Sequence, residues 1–289
     1  MVREVLAGLG LRPNRLYVDG TLGEGGHAVA ILSRITGVGE LWGFDRDPEV
    51  LQTAAARLAP FTSHFRLFHR SYAQLGEVLE EAGRPAAAGI LLDLGLSSFT
   101  LQSSGRGFSF QLEEPLDMRF DPEGDAPTGA QLLNTLPPKV LERIFREYGE
   151  EPRARALARR ICEARRQRPF STTGQLVAVV SAVAGPRAGR SRTHPATRVF
   201  QALRIAVNRE LAELEEFLDG APQWLEPSGR LVIISYHSLE DRLVKQQFLA
   251  WEKAGVMRRL TKKPLTPALD EVRQNPRARS AKLRLAEKI

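Results

Sequence analysis

Between Leu16 and Gly95, four short apolar runs are separated by three longer segments of helical pattern. The runs are LYVDG (16–20), LWGFD (41–45), FRLFH (65–69) and GILLDLG (89–95). The segments between them are GGHAVAILSRI (25–35), DPEVLQTAAARLA (47–59) and SYAQLGEVLEEAG (71–83). Apolar runs this short, bounded by Gly, Asp and Pro, fit strands buried on both faces. Strands that alternate with helices form βαβ units, and these require a parallel sheet. The pattern excludes an all-α or all-β domain and predicts an α/β, Rossmann-like fold.

After Gly95 the rhythm breaks. Residues 96–125, rich in Gly, Ser and Pro, read as a long ordered loop. Residues 126–184 carry only helical patterns: GAQLLNTL, PKVLERIFREYG, RARALARRICEARRQ and TGQLVAVVSAVAG. A Gly- and Arg-rich loop (185–198) and one long helix (roughly 197–219) follow. RLVIIS (230–235) reads as a fifth strand, and 238–255 as a helix with Ser238 at its cap and Asp241 completing a capping box. VMRRLT and AKLRLAEK are two more strand candidates. The predicted organisation is a sheet domain over 1–103 and 199–289, interrupted by a helical subdomain over 104–198.

Charge is segregated along the chain. From Pro152 to Arg209 there are thirteen arginines and one acid, Glu163, whereas residues 1–125 mix both signs. Net charge is +7 and the stretch from Arg258 to Lys288 is again basic. Uniform compositional bias does not segregate charge in this way. Two basic surfaces on a more neutral core imply a polyanionic partner, usually nucleic acid. The one cysteine, Cys162, rules out an intrachain disulfide or a thiolate zinc site. His27, His194 and His237 show no ligand spacing, so no metal is expected. No apolar run is long enough to span a bilayer, and the N-terminus lacks a signal-peptide core; the expected location is cytoplasmic.

Gly23-Glu24-Gly25-Gly26-His27-Ala28 matches G-x-G-x-x-G/A between a strand and a helix, and Asp45 follows about 20 residues later, where a carboxylate holds ribose hydroxyls. That much fits a NAD enzyme. Asp19 and Glu24 argue otherwise, because a pyrophosphate at this turn would face two carboxylates. Like unit charges about 4 Å apart near a surface repel by on the order of 4 kcal/mol before screening. S-adenosylmethionine carries an ammonium and a sulfonium and no phosphate, so the acids favour it. Asp93, at the carboxyl end of the fourth strand, sits where ligands bind in such sheets. Tyr72, after the third strand, is a candidate to pack on an adenine face.

These segments resemble the bacterial ribosomal small-subunit methyltransferase H family, the MraW proteins. The resemblance rests on DGTLGEGGH (19–27), FDRDP (44–48), ILLDLGLSS (90–98), RGFSF (106–110), PLDMR (115–119), HPATRVFQALRIAVNREL (194–211), SYHSLEDRLVK (235–245) and NPRARS (275–280). It implies a class I methyltransferase sheet with a helical insertion, S-adenosylmethionine as cofactor, and methylation of N4 of a cytidine in the decoding region of 16S rRNA. Gly25, Gly26 and His27 would meet the methionine end of the cofactor, Asp45 the ribose and Tyr72 the adenine. Asp93 would sit near the adenine or the methyl-transfer centre. Where the family often has Gln, this chain has Thr100, with Gln102 two residues on. The small ribosomal subunit is the implied partner, and a homodimer is one possible state.

Other amino-methyltransferases carry Asp/Asn-Pro-Pro-aromatic after the fourth strand; this chain has Asp93-Leu94-Gly95-Leu96-Ser97-Ser98. Phe99, Phe108 or Phe110 are candidates for the missing stacking face, with core packing as the alternative for each. Asp93 is the candidate proton acceptor. Arg198, Arg277 and Arg279 are candidates for phosphate contacts; Arg153, Arg155, Arg159 and Arg160 fit a solvated helix face as well as an RNA contact. A non-catalytic assembly factor and a DNA cytosine-N4 methyltransferase remain open alternatives.

Overall fold

The computed structural model describes residues 1–35, 38–61, 64–185 and 194–289. The chain begins with helix α1 (Val2–Leu9) and then runs through β1 (Leu16–Asp19), α2 (Gly26–Leu32), β2 (Glu40–Asp45), α3 (Pro48–Leu58), β3 (Phe65–His69), α4 (Leu75–Glu81) and β4 (Ala87–Asp93). Helices α5 (Ser98–Gln102), α6 (Gly129–Thr135), α7 (Pro138–Glu147), α8 (Ala154–Gln167), α9 (Thr173–Ala184) and α10 (Ala196–Asn208) follow. The last part is α11 (Glu210–Gly220), β5 (Leu225–Ser235), α12 (Ser238–Lys253), β6 (Met257–Arg259), α13 (Leu269–Gln274) and β7 (Lys282–Lys288).

The strands form one sheet in the order β3-β2-β1-β4-β5-β7-β6. β1 to β5 are parallel; β7 runs antiparallel to β5 and β6. This is the α/β, class I methyltransferase arrangement that the resemblance implies. Successive side chains of a strand point to opposite faces. Leu16, Val18, Trp42, Phe44, Ile90, Leu92, Leu231 and Ile233 therefore enter one core cluster. Tyr17, Leu41, Leu91, Val232 and Ile234 enter the other. Both faces are covered, which is why these strands read as continuous apolar runs. β3 differs: it is the sheet edge, with Arg66 and His69 exposed. Arg66 pairs with Glu40 at 2.8 Å and lies over the Trp42 ring, a charged side chain of the kind that blunts an edge strand.

The chain divides into two compact units, Met1–Ser97 with Leu211–Ile289, and Ser98–Glu210. The second unit takes in more than the sequence boundaries at 104 and 198 assign to it. α10 packs on α6, α7 and α9, so it goes with the helices rather than with the sheet. The long helix predicted over 197–219 is two helices. Arg209 breaks it with φ +53°, a left-handed conformation that no α-helix continues through. α12 is capped one residue earlier than predicted: the His237 ring accepts from the Glu240 N–H, and the Glu240 carboxylate accepts from the His237 N–H. An imidazole nitrogen takes the place expected for the Ser238 hydroxyl. Within residues 96–125 the structure adds the short helix α5, and in the loop predicted over 185–198 residues 186–193 lie outside the described residues. No helix among the described residues is long and apolar enough to cross a membrane.

Candidate active site at the carboxyl ends of the strands

The turn after β1 is built by backbone pairing that ties it to both neighbouring strands. The Gly20 N–H donates to the Leu91 carbonyl of β4, and the Leu22 N–H to the Phe44 carbonyl of β2. Gly20 has no room for a side chain: a Cβ there would lie 2.4 Å from Leu92 Cδ2 and 2.9 Å from Tyr72 Cβ. Gly23 and Gly25 adopt φ +51° and +79°, which glycine reaches without strain, and Gly25 caps α2. A Cβ on Gly26 would meet nothing within 4 Å, so this first helical residue borders open space.

Asp45 at the end of β2 is a clamp. One of its oxygens accepts the Gly23 N–H at 2.9 Å and the other accepts the Asp47 N–H at 3.0 Å. Burial pushes its pKa up against the lowering effect of these N–H donors. With the Arg46 N–H also bonded to this carboxylate, one lone pair is left for a ligand hydroxyl. Beside it, Arg46 pairs with Glu213 of α11 at 2.9 Å, and the Ser71 hydroxyl donates to the other Glu213 oxygen at 3.0 Å. Tyr72 is half-buried, with its ring edge-on to Phe217 at 5.5 Å.

Asp93, at the end of β4, is held from three sides. Its N–H donates to Thr21 Oγ1 at 2.6 Å. The Tyr236 hydroxyl, just past β5, donates to Oδ1 at 2.9 Å, and His27 Nε2 lies 3.3 Å from Oδ2. Burial and the Asp93 charge raise the Tyr236 pKa, so this hydroxyl stays a donor at any working pH. Burial lowers the His27 pKa, but the Asp93 carboxylate, with Asp19, more than offsets it and the net direction is upward.

Asp19 completes the cluster. It is 1% exposed, and burial drives its pKa from 3.8 to about 7, although His27 and the Thr21 N–H pull the other way. Two buried atoms here, Asp19 Oδ2 and His27 Nδ1, have no hydrogen-bond partner among the described residues. Buried polar groups normally find one, so these orphaned atoms call for a partner that the polypeptide does not supply. A buried carboxylate accepts only, and it is drawn to a cation. An ammonium or sulfonium fits that demand; a diphosphate does not.

The structure thus brings Gly25, Gly26, His27, Asp45, Tyr72 and Asp93 together in the first unit, at the carboxyl ends of β1 to β4. Thr100 lies on α5 of the second unit, where it is buried. Phe108, buried and stacked on Phe120 at 5.7 Å, and Phe110, stacked on His194 at 5.0 Å, lie in the same unit. Arg277 and Arg279 are exposed on the turn Pro276–Ser280, and Arg198 is exposed on α10. Tyr236 carries no role in the sequence reading. Its one signal is the position of SYHSLEDR directly after a predicted core strand, the same placement that marks Asp93.

The sequence profile of the MraW methylase family matches residues 1–289. The ribosomal RNA small subunit methyltransferase H of Kosmotoga olearia is 48% identical over 292 residues, spanning 100% of this chain and 96% of its own. The protein of the same name from Nitratidesulfovibrio vulgaris is 46% identical over 305 residues, spanning 100% and 94%. That of Heliobacterium mobile is 45% identical over 305 residues, spanning 100% and 97%.

Proposed function

The chain belongs to the MraW methylase family, and from that premise we propose that it methylates the exocyclic N4 of a cytidine in the decoding region of 16S ribosomal RNA, with S-adenosylmethionine as methyl donor. The names of the relatives support ribosomal RNA of the small subunit as the substrate class. The observation that carries the cofactor reading is the orphaned, fully buried Asp19 Oδ2 beside a glycine turn.

S-adenosylmethionine supplies a methyl group already activated on a sulfonium. Asp19 accepts from its ammonium. Gly25, Gly26 and His27 line its methionine end, Asp45 accepts from a ribose hydroxyl and Tyr72 flanks the adenine. A cytosine N4 amine is a weak nucleophile, because its lone pair is delocalised into the ring. The protein's task is therefore to orient the amine and to accept its proton, which general-base positioning accelerates by about 10²–10⁴-fold. Asp93 is the acceptor. Tyr236 and His27 each engage one of its oxygens, so the carboxylate cannot rotate, and a lone pair on each oxygen stays open to an amine N–H. A target base inside a duplex has to leave its stack to reach such a site.

The test is incubation of the protein with labelled S-adenosylmethionine and small subunits lacking the modification, followed by nucleoside mass analysis. N4-methylcytidine from a single position is the expected product. Label on another base or another cytosine atom, or none, refutes the proposal.

A further inference from the structure

We propose that the groove between α7 and α8 of the second unit binds the phosphodiester backbone of the RNA substrate, without reading its sequence. This rests on the ribosomal RNA reading above and adds the surface that grips the polymer.

The groove encloses about 750 Å³. Small apolar residues form part of its lining: Pro138, Pro152, Ala156 and the buried Cys162. The lining also carries Lys139, Arg155, Arg159 and Arg166, and two acids, Glu142 and Glu163. At 100° and 1.5 Å per residue, Arg155, Arg159 and Arg166 fall within about 40° of one another, along about 16 Å of α8. The opposite face of this helix, with Leu157 and Ile161, is buried, so the arginine stripe is the outward one.

Packing does not explain this stripe. Like charges four residues apart, as at Arg155 and Arg159, weaken a helix by about 0.2–0.5 kcal/mol. The acids nearby are already committed: Glu163 is shared by Arg159 and Arg160, and Glu142 pairs with Arg146. Arg153, also on the rim, donates to the Val183 carbonyl at the end of α9 and so has a structural task. Lys139, Arg155 and Arg166 are exposed, and they have no hydrogen bond or ion pair among the described residues. Three uncompensated cations around one groove attract a polyanion.

The chemistry of the groove selects RNA backbone over an acidic protein. Guanidinium forks match phosphate oxygens two at a time. The lining offers no aromatic or long apolar side chain, the anchors on which protein interfaces depend. The same lack of aromatics leaves nothing to stack on a base, so the groove positions the polymer rather than specifying a sequence.

The experiment replaces the three idle cations together, Lys139→Gln, Arg155→Gln and Arg166→Gln, and leaves Arg153 and Arg159 in place. Binding of protein-free 16S rRNA is measured against salt for wild type and variant, with cofactor affinity and Tm as controls for folding. Each cation withdrawn from a phosphate of single-stranded RNA lowers the slope of log K against log salt by about 0.7, so the slope falls by about 2. Affinity near 0.1 M salt falls at least tenfold and the KM for subunits rises, while kcat at saturating subunit holds. The charge-keeping triple of Lys139→Arg, Arg155→Lys and Arg166→Lys retains the salt slope. An unchanged slope in a folded Gln variant overturns the proposal and leaves the methyltransferase reading intact. So does a variant that methylates bare rRNA normally and assembled subunits poorly, because the occupant is then a protein. A wild type that neither binds nor methylates RNA overturns both.

Discussion

Replacing Asp19 by Asn is expected to strengthen the fold above about pH 7 and to weaken cofactor binding there at the same time. The carboxyl ionises near pH 3.8 in the unfolded chain and near 7 in the folded one, because burial strips it of water. A folded pKa above the unfolded value means that stability is full below about pH 4 and is lost as pH climbs towards 7. Each pH unit in that window costs about 1.4 kcal/mol, so the loss is roughly 1.5 kcal/mol at pH 5 and about 4 kcal/mol at pH 8. Asn cannot ionise. It keeps the acceptor for the Thr21 N–H, which lies 3.3 Å from Oδ1, but it puts an amide NH₂ where Oδ2 was. An unpaired buried donor costs about 1–3 kcal/mol at any pH, and this cancels when two pH values are compared. The stability difference between variant and wild type should therefore grow by roughly 3 kcal/mol from pH 5 to pH 8. Denaturant unfolding of both proteins at both pH values, without ligand, measures it. Calorimetry with S-adenosylmethionine at pH 8 should show affinity at least tenfold weaker in the variant. In the wild type, affinity should fall as pH drops below about 7 and the cation meets a protonated acid. A stability difference that does not change with pH would mean that Asp19 is not the desolvated carboxylate described here.

Other perturbations test the remaining contacts. Tyr236→Phe removes one hydrogen bond to the Asp93 carboxylate, an interaction worth about 1.5–3 kcal/mol. Methyl transfer should slow by about 10–100-fold at constant cofactor affinity; equal loss in affinity and rate would make the tyrosine merely structural. Asp45→Ala strands the Gly23 and Asp47 N–H groups as well as the ribose, so thermal unfolding should reveal a loss of about 2 kcal/mol or more alongside weaker binding. An unchanged melting temperature would show that the clamp is dispensable. Gly20→Ala forces a methyl group into Leu92 and should destabilise by about 1–3 kcal/mol in a denaturant melt; a neutral effect would mean the strand ends are looser than described.

The period of the apolar runs was enough to specify the α/β class, the parallel order of the first strands and the helical interruption, because burial on both faces leaves a mark on every residue of a strand. The glycine turn and the acids Asp19, Asp45 and Asp93 were legible for a related reason: each lies directly after such a run, and the carboxyl ends of parallel strands share one edge. Contacts between segments far apart in the chain leave no such local mark. Tyr236 meets Asp93 across 143 positions, and only the adjacency of β4 and β5 makes the pair. The break at Arg209 and the cap at His237 also escaped the pattern, since a single left-handed residue leaves no mark on the helical period in one case and an imidazole replaced a hydroxyl in the other. Arginine-rich α8 announced its charge in the sequence, but which of its cations are idle depended on where Glu163 and the end of α9 lie in the folded unit.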